Sequence, residues 1–188
     1  DSTVHSDPDA GGLINYSYLS GENITKIQEG RPLFVRTPNS KMNLANFFLT
    51  QLYAAFAPLK LGMDILLNEE HVQTDVMVAQ GGLFGTPVIG QQVLANALNI
   101  PITIMNTASE GGPWGMAVLA KYAETYGKES LADYLDEKVF KNPESMTLTP
   151  EPAGVKGYES FITRYQAGLP VEALAGDDIK EREEKGSK

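Results

Sequence analysis

The longest periodic stretch of this chain places apolar side chains at Leu44, Phe47, Phe48, Leu52, Ala55, Phe56, Leu59, Met63, Leu66 and Leu67. Steps of three and four predict an amphipathic helix of about 24 residues, roughly 36 Å long at ~1.5 Å per residue. Ser40 is placed to cap it, and Pro58 and Gly62 predict a kink or break within it. Its aromatic stripe reads as core. Upstream, Asp1 to Gly12 is a polar, turn-rich lead-in. Leu13 to Leu19 alternates apolar and polar residues and predicts a strand ending at Ser20-Gly21, with a second strand at Pro32 to Arg36. Together they predict a small antiparallel piece.

Past the polar stretch Asn68 to Asp75 the pattern changes. Val76 to Ala79 is a short apolar run, ended by Gly81-Gly82 and followed by a helix from Pro87 to about Leu98. Ile100 to Met105 is rich in branched side chains and predicts a buried strand. Pro113 to Tyr126 predicts an alanine-rich helix stopped by Gly127. Strand, helix, strand, helix is the order of an α/β sheet, whose ligands sit at the carboxyl ends of its strands. Lys128 to Phe140 and Tyr158 to Ala167 read as further helices, separated by a proline-containing loop from Asn142 to Gly157.

Composition narrows the function classes. With 188 residues and 42% apolar content the chain is long enough for one domain or two small ones with a core. A net charge of -9 opposes sequence-blind binding to nucleic acid or an anionic membrane. The absence of cysteine removes disulfides, thiolate metal sites and thiol nucleophiles, and makes a reducing, cytoplasmic location the default. No apolar run approaches the ~20 residues that span a bilayer. His5 and His71 lie far apart in polar segments, so neither a triad nor a histidine metal site is expected. The acidic pairs Glu69-Glu70 and Asp177-Asp178 read as solvated surface, and Asp177 to Lys188 as a solvated or frayed tail.

Two glycine sites carry the candidate chemistry. Gly81 and Gly82 leave bare backbone between a strand and a helix, which suits a nucleotide or simply a tight turn. The segment lacks the G-x-G-x-x-G spacing, and no G-x-x-x-x-G-K-[ST] occurs in the chain. The second site, Ser109 to Gly115, opens the alanine-rich helix, where exposed N–H groups attract anions. Helix capping with close packing by Gly115 is the favoured explanation, and Trp114 reads as a core or domain anchor.

The spacing G-G-x-x-x-x-P resembles the adenosine segment of the actin, heat-shock chaperone and sugar kinase superfamily. Four segments in order, GGLINYSYLSGENIT, NLANFFLTQLYAAFAPLKLGMDIL, AQGGLFGTPVIGQQVLANALNIPITI and ASEGGPWGMAVLAKY, resemble the C-terminal half of the FGGY carbohydrate kinases. That family includes xylulose, ribulose and glycerol kinases. The resemblance runs from about Gly11 to Tyr126. It implies an α/β, actin-like ATPase (ribonuclease H-like) domain with a mixed sheet flanked by helices over residues 1–140. Residues 141–188 would then be a helical extension with a charged tail.

The resemblance implies that Gly81 and Gly82 contact the nucleotide and that Leu83 and Thr86 line it, with Glu110 and Gly111 near the cleft. Leu83 and Pro87 depart from the small residues many members carry there, which bears on the adenine contacts. It implies ATP and magnesium as cofactors of the intact enzyme. The partners it implies are the N-terminal half of the same kinase and a sugar substrate, a ketopentose such as xylulose or ribulose. A homodimer is left open. The catalytic aspartate, phosphate turn and sugar pocket would lie in that N-terminal half, so this chain alone is expected to be inactive. The competing reading is a noncatalytic α/β module that binds or regulates a partner without nucleotide.

Overall fold

A computed structural model of the chain describes residues 5–86, 88–106, 108–125, 127–141 and 144–180. The expected helix start at Pro87, the helix end at Tyr126, the start of the Asn142 loop and the last eight residues of the charged tail lie outside the described residues. The chain forms two compact units, one from Asp1–Gln73, Asn96–Leu98 and Glu151–Lys188, the other from Thr74–Ala95 and Asn99–Pro150.

In the first unit, β1 (Ile14–Tyr16) pairs antiparallel with β2 (Leu33–Val35), with Asn15 opposite Phe34. The predicted hairpin is present in shortened form. Helix α1 (Leu44–Asp64) follows. Its cap is Asn43, whose side-chain oxygen accepts the Asn46 N–H at 2.8 Å, rather than Ser40. The helix continues through Pro58 and Gly62 and then widens into a π turn at Ile65–Glu69.

The last helix among the described residues runs from Pro152 to Asp178, much longer than the Tyr158 to Ala167 span the pattern predicts. Its glycines are contact points rather than breaks. A Cβ at Gly157 would collide with the Pro8 carbonyl, and one at Gly168 with the Tyr16 hydroxyl. Close approach there buries Tyr16, Tyr158, Phe161 and Tyr165 at 0–1% exposure. The phenols remain satisfied: Tyr16 donates to the Tyr165 carbonyl at 2.7 Å and Tyr158 to the Tyr53 carbonyl at 3.1 Å. Burial raises all three tyrosine pKa values above the ordinary phenol range.

The second unit holds the mixed sheet. Strand β3 (Met77–Val78) pairs parallel with β4 (Ile102–Met105), which pairs antiparallel with β5 (Ser145–Leu148). The sequence reading assigned the β5 residues to a loop. Between β3 and β4 lies α2 (Ile89–Leu98), whose Asn99 ends it in the left-handed conformation. Buried Gln91 donates from Nε2 to the carbonyls of Ile102 at 2.7 Å and Met146 at 2.8 Å, tying α2 to both strands. Helix α3 (Gly111–Ala123) begins two residues before the predicted Pro113, and α4 (Leu131–Tyr134) runs into a π turn at Leu135–Val139. Numbered in chain order, the Pro152–Asp178 helix is α5.

Candidate functional site

The carboxyl ends of β3 and β4 open into two short turns. After β3, Gly81 adopts φ 129° and ψ 165°, a region essentially reserved for glycine, and Gly82–Gly85 forms a 3-10 turn. After β4, Ala108–Glu110 forms a second 3-10 turn that leads into α3. The turns are joined: the Gly81 N–H donates to the Ala108 carbonyl at 2.8 Å, and the Phe84 N–H donates back to the Gly81 carbonyl at 3.0 Å. Val88, just before α2, also carries a positive φ of 73°, which is costly for a β-branched residue.

All six sequence candidates lie on these two turns or at their ends. A Cβ on Gly81 or Gly82 would meet nothing within 4 Å, so their backbone faces open space. Leu83 is 40% exposed and its carbonyl lies against Gly90. Thr86 and Glu110 are exposed. Gly111 is different, because the Gln80 side chain occupies the place a Cβ would take. The loop of Gly81 and the start of α3 are thereby brought to one corner of this unit.

Beside the corner is a cavity of about 370 Å³. Phe84, Ile104 and Met105 supply apolar wall, and Asn106, Ser109 and Glu144 supply polar groups. Its lining contains no Lys, Arg or His. The Asn106 N–H donates to the Glu144 carbonyl at 3.0 Å and its side-chain amide to the Glu144 carboxylate at 3.1 Å, which fixes the polar wall. An uncharged aromatic or sugar moiety suits such a lining better than a phosphate chain. None of the six sequence candidates lines the cavity; their chain neighbours Phe84, Gly85, Ala108 and Ser109 do. Those four lie inside the same glycine-rich segments, a signal that was available. Glu144 is contributed from far along the chain and carried none.

A second cavity, of about 420 Å³ in the first unit, contains Asp7, Asp9, Lys41 and Arg164. Its charges are already paired with one another, Lys41 with Asp7 at 2.9 Å and Arg164 with Asp9 at 3.1 Å. Among the described residues no three His, Asp or Glu side chains are grouped to hold a metal ion. No described helix is long and apolar enough to cross a membrane.

The chain resembles known proteins in sequence and in fold. Residues 2–124 match the FGGY family of carbohydrate kinases, C-terminal domain. No curated protein matches the chain. Among solved structures, a gluconate kinase from Lactobacillus acidophilus superposes with a TM-score of 0.73 at 18% identity, covering 96% of this chain and 35% of that one. A ligand-bound xylulose kinase from the same organism gives 0.72 at 18% identity with the same coverage. A xylulose kinase from Rhodospirillum rubrum gives 0.66 at 16% identity, covering 90% of this chain and 32% of that one. At such identities the likeness shows the fold, the actin-like ATPase arrangement of a mixed sheet flanked by helices. The chain spans about a third of the length of these structures.

Proposed function

The chain belongs to the FGGY family of carbohydrate kinases, and we propose that it forms the ATP-binding C-terminal half of a kinase that phosphorylates a sugar, a ketopentose such as xylulose or ribulose. The observation that carries this reading is the Gly81-Gly82 turn, whose backbone faces open space beside a cavity with no cationic lining. In this reading Gly81 and Gly82 admit the nucleotide against the main chain. Leu83 and Thr86 flank it, and Glu110 and Gly111 border the cleft. Helix α3 begins at this corner, directly after the Ala108–Glu110 turn, with no side-chain cap.

This half supplies position rather than chemistry. It contributes no cation to the cavity and no cluster of carboxylates for a metal, so the described residues do not by themselves form a magnesium site. Phosphoryl transfer depends on charge stabilisation and alignment of nucleophile and leaving group. In this reading the aspartate that takes the sugar proton belongs to the N-terminal half, and this chain alone is expected to give no turnover. Closure of the two halves would exclude water as a competing acceptor.

Calorimetric titration with ADP tests the reading. Gly82→Val is the matched control, because its Cβ meets nothing in the protein and its φ is not left-handed, so the fold should survive while the nucleotide is obstructed. Binding by the chain and at least a tenfold loss in Gly82→Val is the expected result. Equal binding by both proteins removes the glycine pair from the site.

A further inference from the structure

The cavity beside the glycine corner has a polar wall whose donors and acceptors stand in a definite order. Strands β4 and β5 set Met105 opposite Ser145, and one step further the Asn106 N–H donates to the Glu144 carbonyl at 3.0 Å. Side chains opposed across two strands share a face, and the Asn106 amide accordingly donates from Nδ2 to Glu144 Oε2 at 3.1 Å. That bond uses one amide hydrogen. Nδ2 carries a second, and a carboxylate offers acceptors only, so the pair presents one donor beside two acceptors to the cavity that both residues line.

Donor, acceptor, acceptor is also the order along the pairing edge of cytosine. Its complement is guanine, with O6 as acceptor and N1–H and N2–H₂ as adjacent donors. Adenine sets its N6 amine beside the N1 lone pair, so one carboxylate oxygen would stand against another lone pair. The remaining wall suits a flat ring. Phe84, Ile104, Met105 and Met146 are apolar, and no cation in the lining competes for the Glu144 carboxylate.

Resting on the sugar kinase reading for the presence of a nucleotide, we propose that Asn106 and Glu144 read a guanine base. The chain then binds guanine nucleotides at least as tightly as adenine nucleotides. Its volume of about 370 Å³ lies within the ~300–1,000 Å³ of small-molecule sites. Its position agrees as well, because Ala108, whose carbonyl accepts the Gly81 N–H, is part of the lining. Base wall and glycine turn are therefore neighbours. Two N–H groups on one carboxylate make charge-assisted bonds, and a site built for such donors rejects an analogue that lacks them.

Calorimetric titration of the chain with GDP, IDP and ADP tests the assignment. GDP binding at least as tightly as ADP is the expected result. IDP, which keeps N1–H and lacks the N2 amine, should bind at least fivefold more weakly than GDP. Glu144→Gln sets a donor beside an acceptor, the complement of adenine, and should lower the ratio of GDP to ADP affinity at least tenfold. GDP binding weaker than ADP, or a ratio that Glu144→Gln leaves unmoved, overturns the guanine site. Where ADP binding is nonetheless lost in Gly82→Val, the kinase reading stands. Binding of neither GDP nor ADP overturns both.

Discussion

In the helical unit four large aromatic side chains are almost completely buried, Tyr16, Tyr158, Phe161 and Tyr165, packed between β1, α1 and α5. The sheet unit is built differently: no residue of α3 is buried, and Val76, Val78, Leu83, Met116 and Leu119 stand 40–69% exposed. The hydroxyls of the helical unit's buried tyrosines end on partners within that unit. The sheet unit ends in bare glycine backbone. Apolar side chains are exposed in both units, Leu19 at 84% and Leu44 at 64% in the helical one, so the contrast is local: the tyrosine cluster is closed, while α3 and the glycine turn keep surface available.

The largest expected effect contrasts the two interiors directly. Phe161→Ala should cost about 3–5 kcal/mol in denaturant unfolding, the usual range for emptying an aromatic core position. Met116→Ala on α3, 69% exposed, should cost less than about 0.5 kcal/mol. Similar losses for both would erase the distinction.

Next comes the glycine pair. Gly81→Ala forces a Cβ into a backbone region essentially closed to it and should cost about 1–3 kcal/mol. Gly82→Ala, with open space and an ordinary φ, should stay within about 0.5 kcal/mol. Thermal melts of the two variants would separate a conformational role from a ligand-facing one. Val88→Gly should stabilise the sheet unit by about 1 kcal/mol, because it relieves a positive φ at a branched residue. A loss of stability would show that the Val88 side chain contributes more than its strain costs.

The smallest effect is in the helical unit and depends on pH. Glu172 is fully buried, accepts the Arg31 N–H at 2.7 Å through Oε1, and leaves Oε2 without a partner. Burial raises its pKa, while the bond from Arg31 and the Arg31 charge oppose the shift. The folded protein therefore holds this proton more tightly than the unfolded chain. The contribution is fully present below the unfolded value of 4.5 and is lost as pH rises through the folded one. Glu172→Gln should accordingly raise the melting temperature more at pH 7 than at pH 4. An equal change at both would place the titration elsewhere.

How much of this was legible beforehand follows from the range of each interaction. The alternation from Val76 to the alanine-rich helix is visible because each element declares itself within a few residues, by an apolar run, a glycine turn or an alanine stretch. The site candidates Gly81, Gly82, Leu83, Thr86, Glu110 and Gly111 were legible for the same reason, as two local turns. Their meeting was not, since it depends on the bond from Gly81 to the Ala108 carbonyl. Strand β5 escaped notice because it gains its identity from pairing with β4, Thr103 against Thr147, across a long stretch of chain. The ends of α5 were missed because glycine and proline read locally as stops. In the structure Gly157 and Gly168 are where other backbone and ring atoms press close, and Pro170 sits inside the helix.

The bond between the two turns also constrains how this corner can change. With Gly81 hydrogen-bonded to Ala108 and a Cβ on Gly85 falling 3.5 Å from that of Ser109, a change in the backbone of one loop would press on the other. Reshaping the cavity for a bulkier or smaller guest would require paired substitutions, one on each loop. A library varied on a single loop would mostly return misfolded corners rather than altered selectivity.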